Sequence, residues 1–245
     1  MERIKILNTV VDNLTMAETV AEADKFIAAG KPLHLMGVNA DKINAMYHNE
    51  TLRSIVNSCA LINADGHSVV WAGKQLGTPL KERVAGVDLM QELLVLAEEK
   101  GYPVYFLGAR EQVVEKTVQV VCARHPKLPV AGWRNGYFED SQWPEIAEEV
   151  EKSGARIVFV GITSPKKEYL VRFFQDQGLT ALFMGVGGSF DVISGSIPRA
   201  PLWVQKLGME WFFRMMQEPG RLWKRYLVGN TQFVWRVCRE KFRKV

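Results

Sequence analysis

The chain has 245 residues, 47% of them hydrophobic and 24% charged, with a formal net charge of +4. Those proportions are ordinary for a globular protein and exclude the disordered, collagen-like and disulfide-scaffold classes. Charge interrupts every apolar run before the roughly 20 residues that a spanning helix requires, and no apolar segment or cleavage site follows Met1-Glu2-Arg3-Ile4-Lys5, so a cytosolic body is expected. The three cysteines, Cys59, Cys122 and Cys238, are widely spaced with no C-x-x-C, which speaks against a disulfide framework and against a zinc site.

Along residues 1–198, apolar runs alternate with amphipathic segments. Thr15-Met16-Ala17-Glu18 is a capping box that opens a helix to about Ala29. Leu33 to Val38 and Ala60 to Asn63 read as short buried strands, and Val87 to Lys100 as a helix with apolar positions Leu89, Met90, Leu93, Leu94 and Leu96 that stops at Gly101. The rhythm continues through strand Val104 to Gly108, helices Glu111 to Arg124 and Pro144 to Lys152, strand Arg156 to Val160, helix Pro165 to Gln177 and strand Ala181 to Met184. Strand and helix alternating at this spacing predict an α/β fold, a largely parallel, Rossmann-like sheet with helices on both faces.

Residues 199–245 form a different surface, a helical C-terminal appendage to the 1–198 body. They hold eleven Lys/Arg against three Glu, a net +8 that leaves −4 for the body, and four of the seven tryptophans (Trp203, Trp211, Trp223, Trp235). Basic and aromatic residues interleaved at helical spacing fit an interfacial membrane helix or a nucleic-acid groove, and packing of single aromatics into the core is a third reading.

In a parallel sheet, ligands sit beyond the carboxyl ends of the strands. The segments there are polar and glycine-rich: Asn39-Ala40-Asp41-Lys42, Ala64-Asp65-Gly66-His67-Ser68, Gly108-Ala109-Arg110, Gly161 to Glu168, and Gly185-Val186-Gly187-Gly188-Ser189-Phe190-Asp191. Glycines at strand ends let a backbone approach a phosphate, so a nucleotide or sugar diphosphate suits the layout. Asp65 is the carboxylate to single out. Alone, an Asp-Gly pair is more often an Asx turn, but Asn39, Asp65 and the loop with Arg83 should converge on one rim. They would supply a base, an orienting amide and a cation for a leaving phosphate. His67 is the rival base. His34, His48 and His125 have no partner at metal-ligand spacing and there is no Asp-x-Asp, so a divalent metal site is not expected.

Longer motifs carry a resemblance. Asn63-Ala64-Asp65-Gly66, the run Pro79 to Met90 containing Glu82-Arg83-Val84-Ala85-Gly86-Val87-Asp88-Leu89, Gly136-Tyr137-Phe138, Gly185 to Val192 and Arg199-Ala200-Pro201 are similar to the WecG/TagA/CpsF glycosyltransferases. So are Lys206 to Trp211, Arg214, Gln217-Glu218-Pro219 and Arg221 in the appendage, and the resemblance covers nearly the whole chain. It implies an inverting transferase, independent of metal and cofactor, that moves a sugar from a UDP donor, typically UDP-N-acetylmannosamine, to a polyprenyl-diphosphate-linked acceptor. The enzyme would work as a peripheral protein at an anionic membrane surface, the cytoplasmic face of a bacterial membrane. Carried over by position, Asp65 would be the base with Asn39 and Arg83 around it. Tyr137, Gly187, Gly188 and Asp191 would lie near the donor nucleotide, and Arg214 and Arg221 would close over the diphosphate.

Two departures bear on the donor. The family often has Thr-x-Asn at the first strand end and Pro-Lys-Gln-Glu after the later strand, where this chain reads Gly37-Val38-Asn39 and Pro165-Lys166-Lys167-Glu168. Lys167 adds a cation where a neutral amide would orient sugar or phosphate, for which an acidic sugar is one physical reason and a solvated helix residue the plain alternative. Two rivals remain. A nicotinamide-dependent oxidoreductase would use the late glycine turn, but Phe190 stands where G-x-G-x-x-G requires glycine. A non-enzymatic membrane or nucleic-acid binder would leave the polar strand ends unexplained. Nucleic acid is not expected as a partner, and the sugar, the acceptor and self-association into a homo-oligomer stay open.

Overall fold

The computed structural model describes residues 2–243, with the side chains of Lys206, Arg221, Lys224 and Arg225 outside the described set. The chain opens with an antiparallel hairpin, β1 (Arg3–Ile6) and β2 (Thr9–Asp12), followed by α1 (Met16–Ala28). Next come β3 (Leu33–Val38), α2 (Ala40–Ala45), α3 (Glu50–Ser58), β4 (Leu61–Ala64), α4 (His67–Gln75) and α5 (Gly86–Lys100). The second half of the body contains β5 (Val104–Gly108), α6 (Glu111–Arg124), β6 (Val130–Arg134), α7 (Trp143–Lys152), β7 (Ile157–Gly161), α8 (Lys166–Asp176), β8 (Leu182–Gly185) and α9 (Ser189–Ile193). The appendage supplies α10 (Leu202–Lys206), α11 (Glu210–Gln217), α12 (Pro219–Trp223) and α13 (Gly229–Arg243).

Among the described residues, six strands form one all-parallel sheet in the order β4-β3-β8-β7-β5-β6. The expected α/β class and the helix boundaries follow from local signals. The Thr15/Glu18 capping box is present at α1, and α5 stops at Gly101, whose φ of +68° is the left-handed turn that glycine adopts without a Cβ penalty. Side chains alternate across the sheet. Leu33 and Leu35 of β3 point into one core with α1, α5, α6 and α9, whereas Met36 and Val38 point into a second with α2, α3 and α4. A third core, under α7 and α8, covers the β5/β7 half.

The hairpin and β6 were not among the expected strands. Each is short, the hairpin turns through Leu7-Asn8 with Leu7, not a glycine, at φ +56°, and β6 is only partly buried, so neither shows an apolar run. The hairpin's work is at the sheet edge. Asp12 Oδ2 accepts the Ile62 N–H of β4 at 2.7 Å, which occupies a donor that an edge strand would otherwise leave open.

The chain leaves β5 towards β6 and leaves β7 towards β8, in opposite directions along the sheet, so a crevice opens where the two connections diverge. The backbones crowd there. A Cβ on Gly108, which has φ +138°, would lie 2.5 Å from the Gly161 carbonyl.

The last helix of the appendage packs into the body. Phe233 and Val237 of α13 are fully buried in the core beneath α2 and α4, so the last helix completes a core begun by the hairpin.

Candidate active site

Loops at the carboxyl ends of the strands share one rim. Asp65 directly follows β4, and its N–H donates to the Val38 carbonyl at the end of β3 at 2.9 Å, continuing the parallel ladder by one step. Its Oδ1 accepts the Gly86 N–H from the start of α5 at 2.7 Å, and among the described residues Oδ2 makes no hydrogen bond. Asn39 is the N-cap of α2, its Oδ1 accepting the Lys42 N–H at 3.0 Å. Its backbone stands against the Asp65 loop, since a Cβ on Gly66 would be 3.3 Å from Asn39 Cβ.

Arg83 spans the rim. Nε donates to the Asp65 carbonyl at 2.9 Å, Nη1 to His67 Nε2 at 3.0 Å, and Nη2 to Glu210 Oε2 of α11 at 2.5 Å. A guanidinium can only donate, so His67 Nε2 accepts and its proton resides on Nδ1. Burial and then the Arg83 charge hold the His67 pKa below its usual value, in keeping with a neutral ring. The lone pair that a His67 base would use is therefore committed to Arg83. Glu210 also approaches Arg199 at 3.7 Å, and Arg199 forms a two-pronged pair with Asp88 at 2.7 and 2.9 Å, which ties the appendage to α5.

The glycine turn after β8 is the next section of the rim. Gly187 has φ +53°, and a Cβ on Gly188 would be 3.6 Å from Asp191 Oδ2 and 3.8 Å from Arg214 Nη1. Asp191 of α9 and Arg214 of α11 thus both approach the same bare stretch of backbone. Lys167, in the first turn of α8, has a 13% exposed side chain and an ammonium 3.6 Å from Glu168 Oε1. Tyr137 lies on the loop after β6, 73% exposed, and that loop is anchored by the Gly136 N–H to the Ala109 carbonyl at 2.8 Å. Arg221 falls in α12, and its side chain lies outside the described residues.

Three side chains escaped the sequence reading. Lys42, Glu168 and Glu210 stood inside the motifs quoted, yet nothing marked them as partners. Glu168 offered the one usable signal, because its spacing from Val171 puts a carboxylate on the buried face of α8. Among the described residues, no three His, Cys, Asp or Glu side chains gather as they would around a metal ion.

This rim holds a carboxylate committed on one oxygen only, a cation-bearing helix start after β7 and a glycine turn after β8 approached by a second cation. Such an arrangement can take a proton from a hydroxyl and stabilise a departing phosphate. The family model described as glycosyl transferase WecG/TagA/CpsF matches residues 4–245. The strand-end motifs that carried the resemblance are those that line the rim, and with the match spanning nearly the whole chain the protein belongs to the WecG/TagA/CpsF family of glycosyltransferases.

Proposed function

We propose that this glycosyltransferase of cell-surface polysaccharide synthesis carries out an inverting, metal-independent transfer from a UDP-sugar, N-acetylmannosamine or a related hexose, to a polyprenyl-diphosphate-linked sugar. Asp65 removes the proton of the acceptor hydroxyl. The acceptor oxygen bonds to the anomeric carbon from one side as the bond to the UDP phosphate breaks on the other, and the electron pair leaves with UDP. Single displacement needs one base opposite the leaving group, the geometry of inverting sugar chemistry. The observation that carries the reading is the Asp65 carboxylate fixed through Oδ1 by the Gly86 N–H while Oδ2 stays uncommitted. In this reading Lys167 and Arg214 offset charge developing on the diphosphate, Gly187, Gly188 and Asp191 flank it, and Tyr137 faces the nucleotide. Asn39 lines the sugar side, and Arg83 holds the base loop.

A screen of UDP-sugars against a short-chain polyprenyl-diphosphate acceptor, with UDP release as readout, tests the reaction. Asp65→Asn is expected to lower turnover by at least about a thousandfold while UDP still binds, the scale of removing an essential proton acceptor. Near-normal turnover in that variant would remove Asp65 as base. A chelator is expected to leave turnover unchanged, and inhibition reversed by magnesium would sink the metal-independent reading.

The appendage is proposed to dock on an anionic membrane surface, at the cytoplasmic face, where a polyprenyl substrate resides. Its support is an exposed set of apolar side chains, Leu202, Trp203, Leu207, Met216 and Trp235, beside the net +8 of this segment. Among the described residues, no helix is long and apolar enough to cross a membrane. Because α13 contributes to the core, removing residues 199–245 would unfold as well as undock. The appropriate variant is Trp203→Ala with Leu207→Ala, expected to release the protein from anionic vesicles without loss of thermal stability.

A further inference from the structure

Beneath the rim lies a set of buried charges that the reaction above does not use. Lys42, from the first turn of α2, donates through Nζ to Glu168 Oε1 at 2.7 Å and to the Met36 sulfur at 3.1 Å. The Lys42 side chain is 8% exposed and that of Glu168 0%, so this ion pair is withdrawn from water. Glu168 Oε1 also faces the Lys167 ammonium, but at the longer 3.6 Å, and among the described residues Lys167 forms no other ion pair. One oxygen thus serves two cations, with Lys42 holding the closer position. The stem of Lys167 is fixed from the opposite side, since it lies across Gly185 at the end of β8. A Cβ there would come within 2.7 Å of Lys167 Cε. Lys167 and Lys42 both line a cavity of about 190 Å³ that opens beside the rim, together with Asn39, Asp41, Asn49 and Ser164.

We propose that the buried Lys42–Glu168 pair is a positioning device that holds the Lys167 ammonium at this cavity as the receptor for an anionic group of the substrate, a phosphate or a sugar carboxylate. The inference rests on the sugar-nucleotide reading given above. Its logic is one of incomplete neutralisation. An ammonium taken out of water requires a partner, and here Lys167 shares Glu168 Oε1 with Lys42, which stands closer, at 2.7 Å against 3.6 Å. Other charged groups around the site are Asp65 on the rim after β4 and Asp41 on α2, neither in ion-pair contact with Lys167. His34 of β3 lies below, with burial and then Lys42 holding its pKa at about 3 so that it is neutral. Burial, and then the Lys42 charge, pull the Lys167 pKa down to about 8 against the opposing influence of Glu168 and Asp65. Glu168 is pushed up by burial, but Lys42 and Lys167 outweigh this and keep it ionised, at about 2. A ligand anion would give Lys167 a partner that it does not share with Lys42.

Lysine side-chain resonances in uniformly labelled protein, followed by NMR from pH 6 to 11, read the pair directly. Lys167 is expected to titrate near 8. The midpoint should rise in Lys42→Met, which leaves Glu168 to Lys167 alone, and fall in Glu168→Gln. Calorimetry with UDP gives the second readout. Affinity in the wild type should fall by roughly tenfold between pH 7 and 9, as a cation of that pKa discharges, and the pH at which it falls should move in opposite directions in the two variants. UDP-glucose and UDP-glucuronate separate the two anions. A loss common to UDP and both sugars identifies the phosphate, and a loss confined to the glucuronate identifies the carboxylate.

Gly185→Ala keeps the test open if either charge variant fails to fold, because the three atoms nearest the added methyl are Cε, Cδ and Nζ of Lys167 and no backbone. It should weaken UDP by displacing the ammonium without moving the thermal midpoint. An unchanged Lys167 midpoint across Lys42→Met and Glu168→Gln, or affinities of UDP, UDP-glucose and UDP-glucuronate that are all independent of that midpoint, overturns the proposal. Absence of sugar transfer with the coupling intact overturns the reaction reading and leaves this one standing.

Discussion

Lys42–Glu168 and Arg83–Glu210 are both long-range ion pairs beneath or on the same rim, the first inside the body and the second between body and appendage. The inner pair is nearly sealed from water, at 8% and 0% exposure, whereas Arg83 and Glu210 keep 21% and 17%. Their distances are similar, 2.7 and 2.5 Å, so separation does not distinguish them. Solvent does. A desolvated pair tolerates no loss of one partner, because the survivor is left charged in a poor dielectric, while a partly wetted pair can part and be rehydrated. The inner pair is suited to hold a fixed geometry, and the outer one to join a surface element that docks.

The sharpest way to break this contrast is to remove one inner partner. Glu168→Ala is expected to cost about 3 to 5 kcal/mol in urea unfolding, and Lys42→Met combined with Glu168→Leu to regain part of it, since Lys42 is then no longer an orphan charge and only Lys167 stays without its carboxylate. A loss below about 1 kcal/mol for Glu168→Ala would mean that water reaches the pair, as it does at a surface pair.

The appendage itself divides under the same comparison. Phe233→Ala in α13 is expected to cost about 3 to 5 kcal/mol, as for any buried phenyl ring, because Phe233 is fully buried. Trp203→Ala, at an exposed position of α10, is expected to fall within about 0.5 kcal/mol of the wild type. Equal costs would merge the two parts of the appendage into one packed unit.

Acid provides a third probe of the buried set. His34 has a folded pKa of about 3 against an ordinary 6.5, so the unfolded chain takes up a proton there that the folded chain refuses. Stability is therefore complete above about pH 6.5 and declines as the pH falls towards 3, by about 2 kcal/mol between pH 7 and 5. Glu168 adds its own loss only below about pH 4.5, where its unfolded carboxyl protonates while the folded one stays ionised down to about 2. Unfolding at pH 7 and 5 in His34→Leu should show the first decline removed.

The outer pair should respond far less than the inner one. Glu210→Gln is expected to lower stability by no more than about 1 kcal/mol, with the difference shrinking in 1 M salt. Its larger consequence should be kinetic, because a neutral amide holds Arg83 Nη2 less firmly than the carboxylate does and so loosens the appendage from the Asp65 loop. An undiminished rate would show that the contact serves only packing.

Much of the site was legible before the fold was known. Asp65, Asn39 and the Gly187-Gly188 turn could be found because strand ends are marked locally, where an apolar run breaks into polar and glycine residues. Arg83 was expected as a cation for a leaving group and is found spanning Asp65, His67 and Glu210, a role that depends on a helix 127 residues away. Tyr137 could be named from its motif, but its 73% exposure follows from how the loop after β6 folds back over β5. The hairpin stayed invisible because Asn8 alone is a weak turn signal and the left-handed position falls to Leu7, a residue that does not announce it.

The sequence by itself determined the layers. Apolar alternation, capping boxes and helix stops act over a few residues, and they set which segments are strands, which are helices and which polar residues end each strand. Only the tertiary structure decided which of those ends meet. Lys42 and Glu168 are 126 residues apart and touch because β3 and β7 flank β8 in the order β4-β3-β8-β7-β5-β6. That order is a property of the whole buried surface, since each strand takes the neighbour that best closes the two cores, and no local pattern encodes it.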